Sequence, residues 1–174
     1  MQRAKLTPVQ KRHNRKAFDC GDADLNEFLA HSARASSDKR ITRTFVIEAS
    51  SDPNTIMAYI TLTYTTVDLP AECKPARKLK SPVPALLLAK MAVDNRYKDS
   101  GYGKRLLAFA IKEASDTSNR VGGVCSVIDA KGNDAKALYL SWGGDDFEII
   151  DESGLKLWLP VDICDAIAQI LSDP

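Results

Sequence analysis

The clearest period along the chain is helical. Leu106, Leu107, Ala110, Ile111 and Ala114 recur at i, i+1, i+4, i+5 and i+8, one apolar stripe on a helix that begins just after Gly103. Strand-like patterns flank it. Leu86 to Val93 is nearly all apolar and stops at Asp94-Asn95, the pattern of a buried central strand. Val124 to Ala130, punctuated by Gly122-Gly123, reads as another. Thr55 to Asp68 alternates, with Ile60, Leu62 and Tyr64 set against Tyr59, Thr61 and Thr63. Its β-branched and aromatic residues predict a strand. Thr44 to Glu48 is a shorter β-rich run, and the turn chemistry of Asp52-Pro53-Asn54 joins the two as a hairpin.

Toward the N-terminus, Asp24-x-x-Glu27 resembles a capping box. Leu25, Phe28, Leu29 and Ala33 share a helical face behind it, predicting a helix over about 24–35. Asp134 to Trp142 reads as a short helix with Ala135, Leu138 and Trp142 on one side. Leu155, Leu157 and Leu159 alternate as a last strand. Pro160 to Leu171 closes the chain as an amphipathic helix carrying Ile163, Ile167, Ile170 and Leu171. Pro70, Pro75, Pro82 and Pro84 make 70–84 the longest irregular segment, because proline resists both helix and central strand. The order of elements predicts an α/β fold with a single mixed central β-sheet flanked by helices. The helical crossover makes the strands at 86–93 and 124–130 parallel.

Composition adds bounds. At 174 residues, 44% hydrophobic and 27% charged, the chain is expected to form one domain over residues 1–174. No apolar run approaches the ~18–20 residues of a membrane span, and the basic N-terminus lacks the apolar stretch of a signal peptide. A cytoplasmic protein with no membrane partner is the expectation. Cys20, Cys73, Cys125 and Cys164 are scattered, and His13 and His31 have no partner at ligand spacing, so no metal site is expected. Residues 1–90 hold 15 Lys/Arg against 9 Asp/Glu, a net of +6; residues 91–174 hold 9 against 14, a net of −5. That asymmetry fits a face that meets a polyanion, and equally an unevenly decorated solvated surface.

The chemistry concentrates at one loop. An apolar strand ending in Met91-Ala92-Val93, then Lys98-Asp99-Ser100-Gly101-Tyr102-Gly103, then at once a helix, has the layout of an anion site. Glycines let the backbone approach an anion, and the helix start aims free N–H groups and the positive dipole end at it. Lys98, Lys104 and Arg105 add charge. The Gly-x-Gly pair alone is also compatible with a plain turn. A Walker loop needs Ser or Thr where Arg105 stands and a glycine where Lys98 stands; a Rossmann fingerprint needs a third glycine where Leu106 stands.

The segment L-L-L-A-K-M-A-V-D-N-R-Y-K-D-S-G-Y-G-K-R-L-L resembles the coenzyme A motif of the GNAT acetyltransferases, with Lys98 where Gln or Arg is usual. Asp129-Ala130 followed by Ala135-Lys136-Ala137-Leu138-Tyr139 and Gly143 resembles their later motif, with Gly132, Asn133, Gly144 and Phe147 departing from it in type or register. Phe18-x-Cys20-Gly21 with Leu25-Asn26-x-Phe28-Leu29, Ala58-Tyr59-Ile60-Thr61-Leu62 and Pro82-x-Pro84-Ala85-Leu86-Leu87-Leu88 are similar to segments of the acetyltransferase toxins of bacterial toxin–antitoxin modules.

The resemblance implies a GNAT fold and acetyl-coenzyme A as cosubstrate. It implies that Met91, Ala92, Val93, Lys98, Asp99, Ser100, Gly101, Tyr102, Gly103 and Lys104, with Asn133 and Ala135, hold that cosubstrate, and that Tyr139 protonates the departing thiolate. It further implies acetylation of the α-amine of aminoacyl-tRNA, which blocks translation, with a ribbon-helix-helix antitoxin as partner and a homodimer as a possible assembly. Arg34, Lys39, Arg40, Arg43, Arg77, Lys78, Lys80 and Arg96 are the candidate phosphate contacts. Two other readings stand beside it: a GNAT enzyme acting on a protein N-terminus, lysine or small amine, and a non-catalytic binding partner.

Overall fold

The computed structural model describes residues 6–69, 79–80, 82–143 and 146–172, with side chains described to residue 170. In chain order its elements are β1 (Leu6–Pro8), α1 (Ala23–Glu27), a π turn (Phe28–Ser32), α2 (Ala33–Asp38), β2 (Arg43–Ala49), β3 (Asp52–Val67) and β4 (Val83–Val93). There follow α3 (Tyr102–Val121), β5 (Cys125–Asp129), α4 (Asn133–Gly143), β6 (Glu148–Ile149), β7 (Lys156–Pro160) and α5 (Val161–Ser172). The seven strands hydrogen-bond in the order β1-β2-β3-β4-β5-β7-β6. β2 pairs antiparallel with β1 and β3, and β7 antiparallel with β5 and β6. β4 and β5 run parallel, Ala85 opposite Cys125 through Leu88 opposite Ile128, as the helical crossover requires.

By contacts the chain divides into two units: the described residues of 1–63 with 89–107, and those of 64–88 with 108–174. In the first, Phe18, Leu29, Ala33, Val46, Ile56, Tyr59 and Ala92 form a core cluster. Phe18 meets Tyr59 edge-on at 5.4 Å and Phe28 stacks on Tyr59 at 6.3 Å, while the buried Tyr59 hydroxyl donates to the Leu25 carbonyl at 2.9 Å. The Lys90 ammonium lies 5.0 Å over the Phe28 ring, a cation–π contact. Leu29 is fully buried, so truncation to Ala would cost roughly 2–5 kcal/mol. In the second unit Val67, Val83, Ala85, Cys125, Val127, Ile150 and Trp158 pack together.

The α3 stripe is buried at every one of its five expected positions. Elsewhere the structure corrects the pattern. The first helix is capped by Asp22, whose carboxylate accepts from the Asp24 and Leu25 N–H groups, not by an Asp24–Glu27 box. Helical winding then continues to Asp38 through the π turn, where the Ala33 N–H reaches back to the Phe28 carbonyl. The hairpin turns at Ser50-Ser51, with Ala49 opposite Asp52. Asp52 instead braces the start of β3, accepting from the Asn54 N–H and the Thr55 hydroxyl. From Ile56 to Leu62 both faces of β3 are buried, which removes the expected polar side.

Three more corrections concern faces and ends. β4 begins at Val83, so Pro84 lies within a strand, its ring exposed and its carbonyl accepting from Val124. On α4 the buried residue is Tyr139, whereas Leu138 is 45% exposed; one helical step separates the two faces. On α5 Cys164 and Ala168 are buried, Ile163 and Ile167 half-buried, and Ile170 is 73% exposed. The expectations for Pro70, Cys73, Pro75, Arg77, Lys78, Gly144 and the Leu171 side chain lie outside what is described. Among the described residues no helix is long and apolar enough to cross a membrane, and no group of three or more His, Cys, Asp or Glu is placed to hold a metal ion.

Candidate functional site

The loop after β4 is built within the first unit. Its first residue, Asp94, is 1% exposed and caps a 3-10 turn at Asn95–Tyr97 by accepting the Arg96 N–H at 2.9 Å. The Arg96 side chain grips the same carboxylate in a fork, Nε to Oδ1 at 2.8 Å and a terminal nitrogen to Oδ2 at 2.8 Å. Burial alone pushes the Asp94 carboxyl up, but the bonds from Arg96 and the Asp19 N–H outweigh it and hold the group below its usual range.

Beyond this turn the chain bends twice through left-handed conformations, at Asp99 (φ 60°) and Gly101 (φ 78°). Asp is one of the few residues that tolerate this region, and Gly adopts it freely. The bends deliver the chain into α3, whose start is bonded by the Arg105 N–H to the Gly101 carbonyl at 3.3 Å. The N–H groups of Tyr102, Gly103 and Lys104, in the first turn, have no acceptor within the helix. The first turn holds no acidic residue, Lys98 and Lys104 are exposed, and α3 is 20 residues long. Three donors with no acceptor inside the helix, a dipole end and two cations suit a doubly charged anion such as a pyrophosphate. Tyr97 and Tyr102 meet edge-on at 6.5 Å, bracing the two ends of the loop.

Of the sequence-predicted site residues, Lys98 through Lys104 are contiguous here, and Ser100 bonds its hydroxyl to the Lys98 carbonyl at 3.4 Å. Ala92 is buried in the first unit's core, while Met91 and Val93 are half-buried at the end of β4. The remaining three belong to the second unit and share α4. Asn133 is its first residue and exposed, and Ala135 is half-buried. The Gly132 carbonyl accepts the Lys136 N–H at 3.0 Å, so glycine rather than asparagine occupies the capping position. Tyr139 is 7% exposed and meets Trp142 edge-on at 6.3 Å. Burial pushes its phenol up to about 12, so it is a neutral proton donor throughout the physiological range.

Among the candidate phosphate contacts, Lys39, Arg40, Arg43 and Lys80 are exposed. Arg34 pairs with Asp38 at 2.7 Å and Arg96 is committed to Asp94, so both have carboxylate partners in their own chain. Asp19, Asn26 and Asp94 were not singled out by the sequence pattern, where Asp94-Asn95 read as a stop signal. Their signal lay in the two family-like strings that contain them.

No family model matches the chain. The chain is 25% identical over 160 residues to a "Probable toxin TacT" of Sinorhizobium fredii, covering 86% of each. It is 27% identical over 143 residues to a "tRNA-acetylating toxin" of Mycobacterium tuberculosis, covering 82% of this chain and 83% of that one. Solved structures superpose closely. AtaT complexed with acetyl-methionyl-tRNAfMet matches with a TM-score of 0.82 at 21% identity, over 97% of this chain and 100% of that one. A Tyr-to-Phe mutant of AtaT bound to the C-terminus of the antitoxin AtaR and acetyl-CoA matches with a TM-score of 0.79 at 20% identity, over 97% and 98%.

The mixed seven-stranded sheet flanked by helices, with its glycine-bent loop feeding a long helix, is thus the GNAT fold of N-acetyltransferases. Within that class the chain resembles the toxin acetyltransferases, TacT and the tRNA-acetylating toxin among them.

Proposed function

We propose that this chain, acting as one domain over residues 1–174, transfers the acetyl group of acetyl-CoA to the α-amine of aminoacyl-tRNA and so blocks translation. The observation that carries this reading is the loop at 98–103. It leads through two left-handed residues into a helix start with exposed lysines on either side, in a chain similar along most of its length to a tRNA-acetylating toxin.

The residues divide the work. Tyr102, Gly103 and Lys104 N–H groups, with the Lys98 and Lys104 ammonium groups, hold the pyrophosphate. The strand from Leu88 to Val93 offers backbone N–H groups to the thioester carbonyl, where negative charge develops as the amine attacks. The family resemblance assigns Asn133 and Ala135, at the start of α4, to the same cosubstrate. The new C–N bond forms as the C–S bond breaks; the thiolate takes the Tyr139 proton, the amine gives its proton to water, and water returns one to Tyr139. An α-amine, with a pKa near 7.7–8.0 against about 10.4 for lysine, is partly neutral at pH 7 and needs no strong general base.

Lys39, Arg40, Arg43 and Lys80 are the exposed cations that suit tRNA phosphates. A toxin of this kind is held inactive by an antitoxin, and we assign this chain a ribbon-helix-helix partner, a homodimeric assembly and a cytoplasmic place of action. Incubating the purified protein with labelled acetyl-CoA and a set of aminoacylated tRNAs tests the reading. Label on the aminoacyl group of at least one tRNA is the expected result. Label on protein or small amines, with none on any charged tRNA, would replace it with an ordinary GNAT acceptor.

A further inference from the structure

The Phe18-Asp19-Cys20-Gly21 opening has no part in the chemistry above, yet Asp19 is bonded to the coenzyme loop through both its backbone N–H and its carbonyl. The Asp19 N–H donates to Asp94 Oδ2 at 3.1 Å, and the Asp19 carbonyl accepts from the Asn95 N–H at 2.8 Å. Asp94 is the buried carboxylate on which the following 3-10 turn is wound. The opening is fixed in turn by α1. Asn26 Nδ2 donates to Asp19 Oδ1 at 2.8 Å, and Asn26 Oδ1 accepts from the Cys20 N–H at 2.9 Å. The Gly21 N–H closes the turn on Asp19 Oδ1 at 2.8 Å. Gly21 has φ +84°, and a Cβ there would sit 3.6 Å from the Asn95 side chain and 4.0 Å from the Lys98 ammonium. The opening therefore lies against the first cation of the loop as well as its anchor.

A loop grips an anion only while its N–H groups converge, and a loop with two left-handed residues converges only if its ends are held. The far end is held by α3. We propose that Asn26, Asp19 and Asp94 form a clasp holding the near end, so that all three are positioning residues for acetyl-CoA. This rests on the reading of the loop as the coenzyme site. The F-x-C-G string is then a support for the cosubstrate, and its cysteine serves through both its backbone N–H and its thiol, each donating to Asn26 Oδ1.

Calorimetric titration of acetyl-CoA into wild-type protein, Asn26→Ala, Asp94→Asn and Val46→Ala tests it, with thermal unfolding of each and steady-state kinetics. Val46 is buried in the same unit and bonds to none of the three, so Val46→Ala reports the effect of lost stability alone. The clasp variants are expected to weaken acetyl-CoA about 3- to 10-fold, a net effect on the loop of the size of one hydrogen bond. Their KM for acetyl-CoA should rise by the same factor, with kcat and the acceptor KM unchanged. Val46→Ala should unfold at lower temperature and bind acetyl-CoA as wild type does. Wild-type affinity in both clasp variants, or an equal loss in Val46→Ala, would overturn the clasp while leaving the coenzyme site standing. Absence of binding to the wild-type protein would overturn the coenzyme reading, and the clasp with it.

Discussion

The Nε2 of His13 lies 3.0 Å from Oε1 of Glu48, and its Nδ1 accepts the Gln10 N–H at 2.9 Å. The Nδ1 bond leaves the single proton of a neutral imidazole on Nε2, facing the carboxylate. Burial lowers the His13 pKa, and the hydrogen bond to Glu48 offsets this only in part. The unfolded chain therefore takes up the proton first as pH falls. Stability should hold above the unfolded value of about 6.5 and decline as pH drops below it, with a slope of at most about 1.4 kcal/mol per unit for one proton. Thermal unfolding between pH 8 and pH 5 measures this, and His13→Gln should flatten the curve. An unchanged slope in that variant would assign the effect elsewhere. Glu48 is itself held below its usual range by Thr7, His13 and Arg12, against the upward push of burial, and adds a second loss only below about pH 4.5.

Tyr139→Phe keeps the buried ring and removes the proton. Turnover should fall by about 10²- to 10⁴-fold with acetyl-CoA affinity unchanged, the range of a lost general acid. Because burial holds the phenol up to about 12, the wild-type rate should keep its donor as pH rises through 10. Its acid limb should instead follow the α-amine, near 7.7–8.0. A Phe variant with near-wild-type turnover would remove Tyr139 from the chemistry.

Lys98 supplies a point charge where a planar side chain is usual in the family it resembles. Lys98→Arg keeps the cation and adds fork geometry, and Lys98→Gln supplies a planar donor without the charge. Acetyl-CoA affinity should hold or improve in both, within about threefold, since the N–H groups of the helix start do the larger share of the binding. A sharp loss in a direct binding measurement would mean that the loop is registered wrongly.

Most of the sheet and all of the α3 stripe were legible because burial there follows a simple period over many residues. The errors have separate physical causes. Asp52-Pro53-Asn54 has turn-forming residues, but the Asp52 carboxylate spends its acceptors on Asn54 and Thr55 within β3, so the chain reverses at Ser50-Ser51. On α4, Leu138 and Tyr139 are adjacent large side chains, and it is the more apolar leucine that is left exposed, so hydropathy alone points to the wrong face. Strands of three and two residues, β1 and β6, are too short to show a period at all. At the site, Lys98 to Lys104 were legible as a contiguous string. The Asn26–Asp19–Asp94 connection was not, because residues up to 75 positions apart in sequence meet only in the fold.

Between Phe28 and Ala33 the first helix holds one residue more than an α turn needs, yet Leu29 within this turn and Ala33 after it both reach the core. Length is therefore negotiable at this point. Dropping one of Ala30, His31 or Ser32 should convert the π turn to ordinary winding and leave Leu29 and Ala33 three positions apart, on one helical face. The same deletion within α3 would rotate every later position by about 100° and expose the stripe. The helix of residues 23–38 thus has, between Leu29 and Ala33, a place where a single-residue gap leaves the Asp22 cap and Phe28 against Tyr59 in position.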